Sequence, residues 1–175
     1  MTTTLDTVRL PAAGTWTVDP AASTIAFATR HLFGLGKVAG TFPLASAKLE
    51  IGPSPERSGA RAVVYATGFS SGSAVRDKQV LSRKFLDAQA HPRITFSSTR
   101  VHLADGDWVV DGVLTVRGIS EPVRLTVQEW QAGEDELTLV ATTRVDRYAY
   151  GIRASRGMAG RRLDLTLHLT ARQHR

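Results

Sequence analysis

From Val75 to Phe96 the chain runs VRDKQVLSRKFLDAQAHPRITF, which sets Arg76, Asp77, Lys78, Arg83, Lys84, Asp87 and His91 among apolar residues. Such a mixture suits two purposes. An arginine beside an apolar opening can meet an anionic or polar head group through its fork of N–H donors. The same charges can equally form the wet face of a short helix, with Asp77 near its positive N-terminal end. Val80, Leu81, Phe85 and Leu86 supply the apolar side, and His91-Pro92 ends any helix. The stretch is therefore expected to cap an opening, with its charges at the rim and its aromatics turned inward.

Elsewhere the reactive residue types are dispersed. The five histidines are His31, His91, His102, His168 and His174, and none stands at a paired metal-ligating spacing. His168 alternates with leucines and belongs to a wet strand face. His31, at the end of a strand in RHLFG, is either bonded to a turn carbonyl or available as a ligand contact or base. GLGKVAG matches neither the dinucleotide fingerprint nor the P-loop, and its glycines suit turns and a bulge. No G-x-S-x-G occurs. Asp105 with Asp107, and Glu134 to Glu136, fall in predicted turns where solvated carboxylates outweigh an acid–base pair.

The chain has no cysteine, which removes disulfides, thiolate nucleophiles and cysteine-ligated metals. It also has no asparagine, and so no glycosylation sequon. The formal charge of +6 is spread along the chain, with Arg161-Arg162 the only adjacent arginines. A basic surface attracts phosphate, anionic lipid or nucleic acid, so a transient contact with a membrane surface stays open. Trp16, Trp108 and Trp130 fall on different strands without basic interleaving, and no nucleic-acid partner is expected. The first residues, MTTTLDTVRLPAAG, have no basic and then apolar pattern of a secretory signal, and a cytoplasmic location is expected.

The elements that must position these groups are strands. Leu163, Leu165, Leu167 and Leu169 alternate with Arg162, Asp164, Thr166 and His168, the period of a strand with one face buried. The same period runs through Leu137 to Val145, through Val123, Leu125 and Val127, and through Trp108, Val110, Gly112, Leu114 and Val116. ADGD is a hairpin turn, and Gly118 and Pro122 are expected to bracket another. In the first half, TWTVD, TIAFATR, KVAGTFPLASAKLEI and ARAVVYATGFSS also have strand character, the third bent near Gly40 and Pro43. Many antiparallel strands with one or two short helices make an all-β barrel or sandwich, and closure is favoured because long alternating strands leave exposed edges in an open sheet. Small residues expected inside, among them Ala26, Ala28, Gly40, Ala66, Gly68, Gly112 and Ala141, imply a cavity. Residues 1–14 are expected to form a flexible N-terminal segment and 15–175 a single domain.

Four segments in order, WTVDPAASTIAFATRHLFGLGKVAGTF, AVRDKQVLSRKFLDAQAHPRITFSSTRV, GVLTVRGISEPVRLTV and TTRVDRYAYGI, resemble the YceI-like polyisoprenoid-binding family over nearly the whole chain. Departures stand at Ala22, where the family has histidine, at Gln79, Val80 and Leu81 in place of His, Leu and Arg, and at Ala149 in place of an acidic residue. The resemblance implies a lipocalin-like antiparallel β-barrel with an elongated apolar cavity that holds an isoprenoid lipid, such as a quinone tail or a polyprenyl phosphate. It implies a non-enzymatic cytoplasmic carrier or store, no cofactor, no metal, and a homodimer as one possible assembly. Phe27, Phe33, Val38, Phe42, Val80, Phe85, Phe96 and Tyr150 would line the tail; His31, Arg76 and Arg147 are the head-group candidates. Two alternatives remain at this level: a lipid-modifying enzyme with His31 or Asp77 as base, and a stress-related structural protein with an incidental cavity.

Overall fold

A computed structural model describes residues 10–31 and 35–174, with His31 described by its backbone alone. The strands are β1 (Gly14–Val18), β2 (Thr24–His31), β3 (Gly36–Phe42), β4 (Leu44–Ile51), β5 (Gly59–Tyr65), β6 (Arg93–Ala104), β7 (Asp107–Val116), β8 (Ile119–Ala132), β9 (Glu136–Asp146) and β10 (Arg162–Gln173), with one α-helix, α1 (Ala74–Leu81). Strand β10 pairs with β9 along one side; its other side takes β2 over Asp164–His168 and β1 over 171–173. Strands β1 and β2 are thus two halves of one bent strand. The bend is built by Asp19, whose N–H donates to Thr170 O at 2.8 Å and whose Oδ1 accepts from Ala21 N at 2.9 Å. Pro43 splits β3 from β4 in the same way. With each bent pair taken as one, the result is a closed eight-stranded antiparallel barrel.

Turn chemistry explains the meander. Asp105 and Gly106 both have positive φ, 52° and 88°, as the two-residue hairpin between β6 and β7 requires. Strand β7 turns into β8 on Arg117 and Gly118, not across Gly118–Pro122 as expected: Pro122 lies inside β8 opposite Val113. It is tolerated there because β8 pairs with β9 only from Thr126 onward, so at Pro122 the strand serves a single ladder. ATGFSS is a second correction. Ala66–Gly68 form a 3-10 turn, Gly68 sits against the Pro43 ring where a Cβ has no room, and Ser70 bridges to Thr41.

Helix α1 is shorter than the apolar pattern suggested. Ser73 caps its start, accepting from Arg76 N at 3.3 Å, and Ser82 Oγ donates to Gln79 O at its end. The following turns carry Leu86 and Ala88 into an upper core with Ala66, Val116, Val145, Tyr150 and Ile152. A lower core of Trp16, Val18, Ile25, Leu44, Ala47, Leu137 and Ala171 packs deeper in the barrel.

The expectation about small inward residues needs amending. Ala26 and Ala28 alternate with buried Ile25 and Phe27 and so lie on the outer face. Gly40 and Gly112 do make room inside, but for rings: a Cβ on either would stand 2.5 Å from Phe27 or Phe96. The cavity is framed by half-buried aliphatic side chains instead.

Candidate functional site: the barrel mouth and its inner chamber

Alternation along the upper halves of the strands places Phe96, Leu114, Val123, Leu125, Val145 and Leu165 on one surface, which encloses an inner chamber of about 150 Å³. Outside it lies a second chamber of about 310 Å³ at the mouth, between β2, β3, α1 and the β9–β10 loop. The two share Phe42, Leu86, Arg147, Ile152 and Leu163, so they adjoin across these side chains. An aromatic triangle walls the mouth: Phe69 stands 5.1 Å from both Phe27 and Phe42, ring centre to ring centre. Such tilted pairs add specific geometry to a large apolar area.

At the neck between the chambers sits Arg147, only 4% exposed. Its Nε donates to Gly160 O at 2.8 Å and its two terminal nitrogens to Ile152 O at 2.9 Å and Ala159 O at 3.1 Å. These bonds fold the 147–161 loop over the mouth. Asp146 fastens the loop from outside, accepting from Tyr148 N at its start and from Arg161 at its end, at 3.0 and 2.7 Å. Burial pulls the Arg147 guanidinium below its ordinary value, yet an arginine so far from neutrality remains charged. The consequence is a cation at the cavity wall whose hydrogen bonds, among the described residues, go to carbonyls and to no carboxylate. Two of its five N–H groups are unused by these bonds.

In the same turn, Tyr150 lines the inner chamber at 2% exposure, and its buried Oη has no hydrogen-bond partner among the described residues. Burial raises its phenol to about 12, so it stays protonated and acts as a donor. A buried polar group without a partner costs about 1–3 kcal/mol. An oxygen-bearing guest would recover that cost.

The residues named from sequence largely converge here. Phe27, Val38, Val80, Phe85 and Arg76 line the mouth; Phe96 and Tyr150 line the inner chamber; Phe42 and Arg147 line both. Phe33 and the side chain of His31 lie outside the described residues. Asp77 is a correction. Its carboxylate accepts from Ser71 N at 2.9 Å and Ser71 Oγ at 2.6 Å, tying the loop before α1, and it lines neither chamber. Sequence reasoning missed Phe69, hidden in a run taken for strand, and Ile152 and Met158, which the loop carries to the mouth. Gln79, one of the departures, lines the mouth, whereas Leu81 packs against the upper core.

The far end of the barrel has a larger hollow, about 580 Å³, among Trp108, Trp130, Leu49, Ile51 and Leu10–Ala13. It shares no lining residue with the inner chamber.

Comparison with known proteins agrees with this architecture. The chain spans 32% of the length of its relative from Pectobacterium atrosepticum, a UPF0312 protein, at 39% identity over 62 residues. A UPF0312 protein of Shewanella baltica (strain OS185) is 28% identical over 156 residues, covering 85% of this chain and 81% of the relative. Among solved structures, Burkholderia cenocepacia BcnA superposes with a TM-score of 0.79 at 21% identity, over 87% of this chain and 98% of that one. A polyisoprenoid binding domain from Saccharophagus degradans, implicated in plant cell wall breakdown, gives 0.68 at 16% identity, over 91% and 98%. The model of the YceI-like domain matches residues 16–171, from the buried Trp16 to the buried Ala171 that close the barrel, and the chain belongs to the YceI-like family.

Proposed function

We propose that this chain binds an isoprenoid lipid, such as a quinone tail or a polyprenyl phosphate, or a similar long amphiphile, and holds it unchanged as a store or carrier. The observation that carries the reading is the pair of chambers: an apolar interior behind an aromatic mouth, with buried Arg147 on the wall of both and the buried, unpartnered Tyr150 hydroxyl beside the inner one. Both are donors, so the matching head group offers oxygen acceptors, as a quinone carbonyl or a phosphate does. The tail gains by burial, at most about 4 kcal/mol for each five-carbon unit. The Saccharophagus domain, a polyisoprenoid binding domain that shares the fold, supports the same ligand class.

Binding is favoured over catalysis by the chemistry of the neck. A phenol held protonated to about 12 donates a hydrogen bond but is no base near neutral pH. Asp77, the other acid considered, is engaged with Ser71.

Native mass spectrometry of the purified protein, followed by organic extraction, tests the proposal. A co-purifying isoprenoid, or stoichiometric uptake of an added one, is expected. Val123→Trp, which fills the inner chamber, should lower affinity at least about tenfold while the fold survives. Failure of the wild type to take up any isoprenoid, or full uptake by the filled variant, would refute it.

A further inference from the structure

The charge of the molecule is not evenly placed. The loop that closes the mouth and its flanks, residues 144–164, contains six arginines against two aspartates, and both aspartates are paired with Arg144 or Arg161. Helix α1 and the turns after it add exposed Lys78, Arg83 and Lys84 at the same end. Two of the turns at the other end have the opposite sign, with Asp105 and Asp107 in one and Glu134 and Asp135 in the next, all exposed, while the β4–β5 turn balances Glu56 with Arg57.

Exposed apolar side chains occur at both ends, Leu10 at 65% and Leu103 at 55% at the far one, but the most exposed stand at the basic end. Leu35 at the β2–β3 turn is 91% exposed, Val75 at the start of α1 82%, and Met158 in the β9–β10 loop 55%. Each stands by the opening: Val38, Arg76 and Met158 line the mouth chamber. Single exposed apolar side chains are ordinary on a protein surface; what sets these three apart is that they surround one basic opening.

We infer that the mouth end docks on an anionic lipid bilayer, with Leu35, Val75 and Met158 entering the interface and the arginines and lysines around them facing lipid phosphates. The sign of the charge selects an anionic surface, since each basic side chain near such a membrane adds to binding. The scatter of the apolar groups selects a bilayer over a folded protein partner: single side chains can enter a fluid interface independently, whereas a protein interface needs one continuous packed patch. Tyr148 fits the same end. Its ring lies within 6 Å of four guanidinium groups, those of Arg147, Arg153, Arg156 and Arg161, which holds the charges together over the loop. In this orientation the mouth faces the membrane, and a lipid guest of the kind proposed above would pass between bilayer and barrel without crossing water.

Vesicle flotation of the full chain, carrying no added isoprenoid, tests the docking directly. The wild type should float with vesicles of equimolar phosphatidylcholine and phosphatidylglycerol, stay behind with phosphatidylcholine alone, and detach as salt is raised. Two double variants on different segments, Arg153→Glu with Arg156→Glu and Lys78→Glu with Arg83→Glu, should each weaken partitioning about tenfold or more. Val75→Ser with Met158→Ser should weaken it by a smaller factor, and Asp105→Lys with Asp107→Lys at the far end should not weaken it. Thermal melts confirm that each variant is folded. Equal binding to both vesicle types, or full binding by both charge-reversed variants, overturns the inference. Displacement by inorganic phosphate beyond that caused by chloride of the same ionic strength also overturns it, because the site would then be an anion pocket. Isoprenoid uptake is measured in parallel: docking without uptake removes the carrier reading alone, and uptake without docking removes this one alone.

Discussion

The two ends of this barrel are made from the same strands with the same alternation, yet they close differently: a packed core around Trp16 stands at the lower end beside a hollow that shares no wall with the inner chamber, whereas the mouth adjoins that chamber. At the lower end Trp16 is fully buried and its indole N–H donates to Ala12 O at 2.9 Å, with Val18, Leu137 and Ala171 packed around it. At the upper end the inward residues are aliphatic and half-buried, and α1 and the 147–161 loop close over them without filling the space. The difference teaches that an inward face specifies a surface, and that the size of its side chains and the loops above it decide whether the surface becomes core or cavity.

Trp16→Ala should break the packed end most severely. Loss of a fully buried indole costs about 3–5 kcal/mol, read as a lower midpoint in urea unfolding. If the ends are independent, isoprenoid uptake by the folded fraction should be unchanged.

Arg147→Met attacks the open end. It leaves the carbonyls of Ile152, Ala159 and Gly160 without their donor, and a loss of about 2–4 kcal/mol is expected from the same unfolding measurement. Affinity for a phosphate-headed isoprenoid should fall more than affinity for an uncharged one, which a titration with both would separate.

Tyr150→Phe removes a buried donor that has no partner among the described residues, so stability should rise by about 1–3 kcal/mol while affinity for a quinone falls about tenfold. A pH signature accompanies it. The unfolded phenol loses its proton near 10 and the native one near 12, so the unfolded state binds fewer protons in that interval and the wild type loses stability as pH rises through it. The phenylalanine variant should lack this part of the alkaline loss when the two unfolding curves are compared.

The smallest effect belongs to the outer clasp of the mouth loop. Hydrogen bonding by Arg161 lowers the Asp146 carboxyl, so its contribution is present above the ordinary carboxylate range and is lost as pH falls through the native value. Asp146→Asn should flatten that acid dependence slightly, and salt should diminish the difference, since the pair is largely exposed.

How much of this was legible in sequence follows from which signals are local. The period-two pattern of Leu163 to Leu169 states that one face is buried, and β10 bears it out along its whole length. The hairpin at Asp105-Gly106 was equally plain, because φ is a property of single residues. Pro122 misled for the converse reason. A proline disfavours a strand with two neighbours, and that β8 has only one there depends on where β9 departs. Phe69 was misplaced because its role arises from contact with Phe27 and Phe42, more than twenty residues away in sequence. Arg147 was singled out through its motif, but that its partners are the carbonyls of residues 152, 159 and 160 follows from the path of the loop.

The sequence by itself determined the all-β barrel, its inward faces and the aromatic and arginine residues available to a ligand, because alternation and turn preference act between near neighbours. Only the tertiary structure decided that the inner chamber and the far-end hollow share no wall, that a buried cation lies between mouth and inner chamber while a buried, unpartnered phenol lines the latter, and that positive charge gathers around the mouth. Those facts depend on segments brought together by closure of the barrel, and no local pattern in the chain carries that information.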